Sequence, residues 1–189
     1  MCPHSPVFFV DGFMEKKILQ RLEVHTHIFR TDINGKDVKI SAIANKISPL
    51  IRNLKGRFRP IIILIDREDR TTSTKIIIGE LYSELRRNEI SDELIIGITD
   101  RTIENWILAD WNNFKKNSGT KEKKIYNSFE GYNGKSIIKK YIPSYQETTD
   151  GVELFVKSKA SMIQKNSKSF NDFFTQILSK RYNNYWISQ

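Results

Sequence analysis

The stretch PIIILID, residues 60–66, constrains the fold of this chain more than any other part of its sequence. Its branched apolar side chains favour a β-strand, and an apolar run without alternation predicts a strand that is covered on both faces. Strands of this kind lie inside parallel sheets that have helices on each side. We therefore expect residues 60–66 to form the central strand of a parallel sheet.

Further predicted strands and helices alternate along the first 114 residues. Three more strands are predicted, at residues 7–10, 23–29 and 93–99. Apolar residues spaced by three and four predict helices at 14–22, at 40–54 with a bend or split at Pro49, from a cap at Thr72 or Ser73 to Leu85, and at 102–111. The third helix is expected to turn four residues to the core: Ile76, Ile77, Leu81 and Leu85. This order predicts an α/β fold with a doubly wound parallel sheet flanked by helices.

The C-terminal part, residues 115–189, is predicted to be helical and is strongly basic. After a solvated loop or linker at 115–124, helices are expected at 134–141, 151–164 and 169–180. This part carries 14 basic and 6 acidic side chains, whereas residues 1–114 carry 17 and 16. A basic surface attracts polyanions, of which nucleic acid is the commonest inside cells. The alternative is that these lysines only keep the surface solvated. We interpret residues 1–114 as the core on which it packs, in one domain overall.

Composition and the N-terminal residues exclude several classes of protein. No apolar run approaches the roughly 20 residues that span a membrane, and MCPHSPVFFVDG has no secretory signal, so we expect a cytoplasmic protein. The sequence has one cysteine, Cys2, and three histidines. A single cysteine excludes an internal disulfide, and so few cysteines and histidines exclude a thiolate zinc site. Any metal ion is therefore expected to be held by oxygen ligands.

Acidic residues follow three of the four predicted strands. The groups are Asp11 and Glu15, then Asp66, Glu68 and Asp69, then Asp100 and Glu104. Because functional groups of open α/β sheets gather beyond the carboxyl ends of the strands, we expect these side chains to meet in one crevice. Their repulsion would raise their pKa values unless a cation lay among them, and Mg²⁺ prefers oxygen ligands. The alternatives are that Glu15 serves the helix dipole and that Glu68 or Asp69 is a turn or cap residue.

Two segments resemble motifs of the Toprim domain, the metal-binding catalytic domain of topoisomerases, bacterial primases and some nucleases. VDGFMEKKIL, residues 10–19, is similar to a strand that ends in Glu-Gly before a helix opened by a second glutamate, and IIILIDRED, residues 61–69, to a strand that ends in Asp-x-Asp. With TIENWILAD (102–110), GKSIIKKYIP (134–143) and SKASMIQKNSKSFNDFF (158–174), most of the chain resembles the Toprim-like proteins of the domain-of-unknown-function 4276 family.

The resemblance implies a Toprim-like, Rossmann-like fold and phosphodiester chemistry with Mg²⁺ or Mn²⁺. It implies that Asp66 and Glu68 are metal ligands together with Asp69, that Asp11 is a ligand or general acid/base, and that Glu15 is a further ligand or orients one. Asp11 stands where the family has Glu, and Glu68 where it often has Asp. The charges are kept, while the reach of both side chains changes.

Hydrolysis of DNA or RNA is the simplest function that fits this resemblance. A chain of 189 residues is too small for the further domains of a primase or topoisomerase. The resemblance also implies prokaryotic anti-phage defence beside an ATPase partner, and a homo-oligomer is compatible with it. The alternative is a non-catalytic Toprim-like subunit that binds nucleic acid or acts as a scaffold, in keeping with the two altered acids.

Candidate substrate contacts are Glu104, Lys135, Lys139 and Lys140. GYNGKS, residues 131–136, lacks the spacing and the preceding strand of a P-loop, but it can begin a helix where Lys135 and Ser136 meet a phosphate. Lys139 lies four residues beyond Lys135, on the same face of that predicted helix.

Trp106 and the histidine pair each have a structural and a functional interpretation, whereas the aromatic residues of the last helix have a structural one only. Trp106 either packs in the core or stacks on a base. His25 and His27 would share one side of a strand, where they either hold a metal or are ordinary surface residues. The aromatic and aliphatic residues expected to form a purely packing face of the last helix are Phe170, Phe173, Phe174, Ile177 and Leu178.

Overall fold

The computed structural model describes residues 5–123 and 126–179 of the chain. Within them lies a sheet of four parallel strands, β1 (Val7–Val10), β2 (Ile28–Arg30), β3 (Ile61–Asp66) and β4 (Leu94–Thr99). Their order across the sheet is β2-β1-β3-β4, so β3 lies between β1 and β4. The predicted α/β fold class with a parallel sheet is confirmed.

Helices connect the strands and cover both faces of the sheet. In chain order they are α1 (Phe13–Arg21), α2 (Ile40–Asn53), α3 (Thr74–Arg87), α4 (Glu104–Ala109), α5 (Trp111–Ser118), α6 (Gly134–Tyr141), α7 (Val152–Val156), α8 (Ala160–Asn166) and α9 (Lys168–Ser179), with a π-helical turn at Glu147–Gly151. Helices α2 and α3 pack on one face, whereas α1 and α4 to α9 pack on the other. The predicted helical C-terminal part is thereby confirmed.

Some predictions fall on residues outside the described part of the chain. These residues are Cys2, His4, Lys124 of the predicted loop and Lys180 of the last predicted helix. None of the helices that the structure describes has the length and apolar character needed to cross a membrane.

The alternation of side chains along β3 decides which way its final carboxylate points. All six residues of β3 are buried, as its apolar sequence predicts. Ile62 and Leu64 pack toward α1 and α4, whereas Ile63 and Ile65 pack toward α2 and α3. Because side chains alternate along a strand, Asp66 continues the row of Ile62 and Leu64 and faces α1 and α4.

Helix α9 lies directly on β4, and a glycine makes this possible. A Cβ atom added at Gly97 would lie 2.5 Å from Cδ2 of Phe173, far inside van der Waals contact. The predicted apolar face of α9 is confirmed, with Leu178 partly buried and four residues fully buried: Phe170, Phe173, Phe174 and Ile177. Trp106 of α4 is fully buried beside them and donates from Nε1 to Ser169 Oγ at 2.9 Å. The core interpretation of Trp106 is confirmed, so stacking on a base is wrong.

The predicted second strand begins later than expected. Strand β2 starts at Ile28, which pairs with Phe8 of the four-residue strand β1. His25 and His27 lie before it, so their predicted placement on one side of a strand is wrong. The ring of His27 instead meets the ring of Phe58 edge-on, with 4.9 Å between the centroids.

Helices α2 and α3 differ in detail from the prediction. Helix α2 continues through Pro49 as one helix rather than splitting there. Ser73, rather than Thr72, caps α3, because its Oγ accepts a hydrogen bond of 3.4 Å from the Ile76 N–H. The predicted burial of Ile76 is wrong, since its side chain is 54% exposed. The residues that α3 does bury are Ile77, Leu81 and Leu85.

Asp110 ends α4 and caps α5. Its carboxylate accepts hydrogen bonds from the backbone N–H groups of Asn113 at 3.3 Å and Lys159 at 2.9 Å. The single helix predicted here therefore becomes two, and α5 extends into the predicted loop. The bond to Lys159 also fixes the break between α7 and α8, so the prediction of one helix at 151–164 is wrong.

Candidate metal centre

Three carboxylates meet at the carboxyl ends of β1 and β3. Asp11, Asp66 and Glu68 each offer one oxygen, and these atoms all lie within 4.8 Å of one another. Asp11 directly follows β1, Asp66 is the last residue of β3, and the two strands are paired neighbours. Parallel pairing thus brings three of the predicted ligands together from distant parts of the sequence.

The three carboxylates line a cleft of about 380 Å³ that is bounded by α1, α4, the start of α6 and the π-helical turn. Further acids on its wall are Glu15 from α1, Glu104 from α4 and Glu147 from the π-helical turn. Lys135, near the start of α6, is the one lysine or arginine among the described residues that line the cleft. The cleft is therefore strongly acidic, with a single cation on its wall.

Asp66 is held at the cleft through both its side chain and its backbone. Its Oδ1 accepts a hydrogen bond of 2.6 Å from the hydroxyl of Thr99, the residue opposite it on β4. Its backbone carbonyl accepts from Asn34 Nδ2 at 2.7 Å and from Arg70 Nη1 at 3.3 Å. These bonds fix the orientation of the carboxylate.

Asn34 and Arg70 connect the candidate ligands, and the sequence analysis does not identify either. Asn34 Nδ2 also donates to Oδ2 of Asp11 at 2.7 Å, and Arg70 Nη2 donates to Asn34 Oδ1 at 2.6 Å. Asn34 lies in the loop after β2, and Arg70 lies four residues beyond Asp66. The only sequence signal for them is their position, because each follows a strand end at the edge where the acids gather.

Burial and mutual repulsion raise the pKa values of the cleft carboxylates. The pKa of Asp66 lies well above its ordinary value because the carboxylate is buried and faces Glu15 and Asp11. Burial also raises the pKa of Glu68, and it raises that of Asp11 against the lowering effect of the Asn34 hydrogen bond. Burial, with repulsion from Asp11, raises the pKa of Glu15 to about 7. A cation in the cleft would relieve each of these costs.

The donor set fits a hard divalent cation. Every donor of the cluster is a carboxylate oxygen, the ligand type that Mg²⁺ and Mn²⁺ prefer. Three carboxylates also leave coordination positions for water and for a substrate phosphate, as is usual for Mg²⁺.

Glu68 has a backbone conformation that glutamate rarely adopts. Its φ is 57°, in the left-handed region, where a residue with a Cβ atom is less stable by about 1–2 kcal/mol. Its N–H donates to the Arg101 carbonyl at 2.8 Å, which joins the turn after β3 to the turn after β4. Strain of this kind concentrates at functional sites, and here it sets the position of a candidate ligand.

The family model described as Domain of unknown function (DUF4276) matches residues 9–178. The chain belongs to this family. The matched region runs from β1 into α9 and contains all three carboxylates of the cluster. No curated protein and no solved structure matches the chain. Family membership is confirmed, whereas the Toprim likeness rests on the motifs alone.

Asp69, the fourth predicted metal ligand, lies outside the cluster of three carboxylates. Its side chain is 54% exposed and accepts a hydrogen bond of 2.6 Å from Arg101 Nη1. Asp100 forms an ion pair of 2.6 Å with Arg67 Nε and accepts a hydrogen bond from the Gly131 N–H. Both acids are therefore paired with arginine and fasten the turns around the cleft.

Glu15 and Glu104 stand beside the cluster rather than in it. Oε2 of Glu15 accepts a hydrogen bond of 3.0 Å from the Gly12 N–H. Glu15 therefore also stabilises the N-terminus of α1, which agrees with the alternative interpretation of Glu15 as a first-turn acid. Oε1 of Glu104 accepts from the Tyr145 hydroxyl at 3.2 Å, and burial raises the pKa of Glu104. Both carboxylates are thus fixed on the cleft wall.

Asn105 fixes the loop that brings Lys135 to the cleft. Its Nδ2 donates to the carbonyls of Phe129 at 2.5 Å and Tyr132 at 2.9 Å, and its Oδ1 accepts from the Gly134 N–H at 3.2 Å. A Cβ atom at Gly134 would lie 2.5 Å from Asn105 Oδ1, so a glycine is needed for this close approach. Sequence reasoning misses Asn105, because nothing in TIENWILAD marks it apart from its place beside a candidate acid.

Lys135 forms an ion pair with Glu147 across the cleft wall. This hydrogen-bonded pair raises the pKa of Lys135, so the side chain is cationic at neutral pH. The start of α6 is capped from within, because Asn133 Oδ1 accepts a hydrogen bond of 2.9 Å from the Ser136 N–H. The other predicted lysine contacts, which are exposed on α6 and do not line the cleft, are Lys139 and Lys140.

Proposed function

We propose that the protein hydrolyses phosphodiester bonds of DNA or RNA with the help of Mg²⁺ or Mn²⁺. The observation that carries this proposal is the cluster of Asp11, Asp66 and Glu68, whose oxygens lie within 4.8 Å at the edge of a parallel sheet. The likeness of VDGFMEKKIL and IIILIDRED to the Toprim motifs supports the same chemistry. A Toprim-like character of the fold is part of the proposal.

The cluster of Asp11, Asp66 and Glu68 would hold the metal ion through carboxylate oxygens alone. A bound divalent ion supplies charge stabilisation at the phosphate and lowers the pKa of a bound water. Lys135, the cation on the cleft wall, would contact the phosphate and offset the repulsion of the acids. Glu15, whose carboxylate is fixed beside the cluster by the Gly12 N–H, would act as a further ligand or orient one.

The basic C-terminal part supports nucleic acid as the substrate. Residues 115–189 carry 14 basic and 6 acidic side chains, and α6 within them bears Lys135 at the cleft and Lys139 on the exposed surface. Lysines of this kind neutralise backbone phosphates. A cytoplasmic role in anti-phage defence, beside an ATPase partner, is the setting that the Toprim resemblance suggests.

Thermal unfolding with and without metal tests the site, and cleavage of labelled DNA and RNA oligonucleotides tests the activity. Millimolar Mg²⁺ or Mn²⁺ is expected to raise Tm by mass action, because the ion binds the folded cluster and not the unfolded chain. Asp66→Asn is expected to abolish both the shift in Tm and the cleavage. Asp69→Asn changes an exposed acid nearby and, as the matched control, should keep both.

Each failure of this experiment has a distinct meaning. A Tm that responds to neither ion would contradict the metal site. Metal binding through Asp66 without cleavage of any oligonucleotide would favour the alternative, a non-catalytic Toprim-like subunit that binds nucleic acid or acts as a scaffold. Cleavage that persists in Asp66→Asn would contradict the assignment of the active site.

A further inference from the structure

Phe13 presents an exposed aromatic ring at the acidic cleft. It is the first residue of α1, lines the cleft beside Asp11 and Glu15, and is 58% exposed. The other large apolar side chains that are exposed in the described part of the chain, none of which lines the cleft, are Ile76, Tyr82 and Tyr132. Phe13 therefore joins an uncovered aromatic surface to the proposed phosphate site.

Arg30 holds the ring of Phe13 from one side. The guanidinium carbon of Arg30 lies 3.3 Å from the ring centroid, which is a close cation–π contact. Nη2 of Arg30 pairs with Asp32 at 3.1 Å, which fixes the guanidinium at the end of β2. Nη1 is buried and makes no hydrogen bond within the described residues. The ring is thus oriented by the protein on one side, while more than half of the side chain stays open to solvent.

Phe13 also lies close to the candidate ligands, within about two stacked bases along the backbone. It is two residues from Asp11 in the sequence, and two residues span at most about 7 Å. Successive bases along a strand are about 3.4 Å apart when stacked. A phosphate held at the three carboxylates would therefore bring a neighbouring base to the exposed ring.

We infer that the Phe13–Arg30 pair is a stacking platform for an unpaired base next to the phosphate in the cleft, and that the substrate is single-stranded nucleic acid. The inference rests on the proposed function, because it places a phosphate at the three carboxylates. Every base has an aromatic face that can stack on the open side of Phe13, while Arg30 holds the ring from the other side. In a duplex those faces are covered, so a base reaches the ring only after leaving the stack.

Fluorescence anisotropy of labelled oligonucleotides tests this inference. The full chain with its three carboxylates intact is used in millimolar Mg²⁺, and the probes carry phosphorothioate linkages that resist cleavage: a single-stranded DNA, a single-stranded RNA of the same sequence and the DNA duplex. Phe13→Ala is expected to weaken binding of the better-bound single strand by about 5- to 100-fold, as the loss of one base stack does. Duplex affinity should not change, and Phe13→Trp should keep single-strand binding.

Tyr82→Ala is the matched control. Tyr82 is 43% exposed on α3 and has Arg86 over its ring at 4.7 Å, but it does not line the cleft. Its substitution is expected to leave every affinity unchanged. A set of single strands that each lack one base then locates the contact, because Phe13→Ala should have no further effect where the stacked base is missing.

The outcomes separate the inference from the function on which it rests. Unchanged single-strand affinity in Phe13→Ala, or an equal loss with the duplex, would overturn the inference. Absence of metal-dependent cleavage by the unaltered protein, with the effect of Phe13→Ala intact, would overturn the proposed hydrolysis alone. Failure of the unaltered protein to bind any of the probes would overturn both.

Discussion

The side-chain amide of Asn34 donates a hydrogen bond of 2.7 Å to Oδ2 of Asp11. The same nitrogen donates to the backbone carbonyl of Asp66 at 2.7 Å. One side chain therefore bonds to residues at the ends of both β1 and β3 and fixes the distance between them. The distance between two candidate metal ligands therefore depends on a neutral residue of the loop after β2.

Asn34→Ala is expected to weaken metal binding by roughly 10- to 100-fold, the usual cost of losing a residue that orients a ligand. Loss of its hydrogen bond would also raise the pKa of Asp11 further, because that bond favours the charged carboxylate. Calorimetric titration with Mn²⁺ measures the affinity. Asn88→Ala removes an amide that bonds Asn45 and Ser48 in the α2–α3 layer and should leave it unchanged. An equal loss in both variants would contradict the role of Asn34.

The pKa of Glu15 predicts a pH dependence of stability in metal-free buffer. The pKa rises from an ordinary 4.5 to about 7 in the folded protein, so between these values the folded state holds a proton that the unfolded chain has lost. The free energy of unfolding therefore falls as pH rises through this range, and the raised pKa values of Asp66 and Glu104 act in the same direction.

Glu15→Gln keeps an acceptor for the Gly12 N–H and is expected to make this pH profile less steep. Urea unfolding in EDTA between pH 4.5 and pH 8, the span set by the shift of Glu15, measures it. Glu80→Gln, at an exposed position of α3, should reproduce the unaltered profile. Indistinguishable profiles for Glu15→Gln and the unaltered protein would mean that Glu15 is not protonated in the cleft.

Glu68→Asn is expected to stabilise the metal-free protein and abolish its response to metal. Asparagine tolerates the left-handed φ of 57° better than glutamate, and the change removes one of the repelling carboxylates, for a gain on the order of 1 kcal/mol. Glu89→Asn relieves a similar φ of 61° at the end of α3 and should stabilise without changing the metal response. Thermal unfolding with and without Mg²⁺ measures the Tm of both variants. If Mg²⁺ still raised the Tm of Glu68→Asn, Glu68 would not be a metal ligand.

Gly97→Ala is expected to destabilise the fold by about 1–3 kcal/mol, because the new methyl group would overlap the ring of Phe173. Gly79→Ala is the matched control within α3. No atom beyond its chain neighbours and the backbone of its own helix lies within 4 Å of its Cβ position, so this change should stabilise the helix by up to about 1 kcal/mol. Urea unfolding measures both, and a stabilising effect of Gly97→Ala would contradict the close seat of α9 on β4.

Replacement of Lys135, Lys139 and Lys140 by Gln should weaken binding to all nucleic-acid sequences alike. It should also flatten the salt dependence of binding, by roughly one unit of slope for each phosphate that a lysine no longer neutralises. Only Lys135 lines the cleft, so Lys135→Gln alone should also slow cleavage. Anisotropy across salt concentrations decides the matter, with Lys168→Gln, an exposed lysine paired with Asp172, as control. If the salt dependence of binding had the same slope in the variant and in the unaltered protein, these lysines would only solvate the surface.

The central strand and the acids at the strand ends could be predicted because their signals are local. The run IIILID fits a strand covered on both faces, and parallel strands bring their carboxyl ends to one edge of a sheet. The start of β2 could not be predicted in this way. It is set by pairing with Phe8, Phe9 and Val10 of β1, whereas Val24 and Thr26 favour a strand by residue type and lie before it.

The polar side chains that organise the site could not be predicted, because each acts on a residue far away in the sequence. Asn34 bonds to the backbone of Asp66, 32 residues on, and Asn105 bonds to Gly134, 29 residues on. Asp110 accepts from a backbone N–H 49 residues on, and this bond divides what periodicity presents as one helix. In the sequence alone these three residues look like ordinary loop and helix positions.

The seat of Phe173 on Gly97 bears on how the chain is synthesised. Strand β4 leaves the ribosome long before α9. The apolar sheet face that α9 covers is therefore exposed to solvent in the nascent chain, and exposed apolar surfaces favour aggregation. A product cut short by a late premature stop codon would contain Asp11, Asp66 and Glu68 and would still leave that face bare. Loss of α9 is therefore expected to be as severe as loss of a candidate ligand, although α9 lies far from the ligands in the sequence.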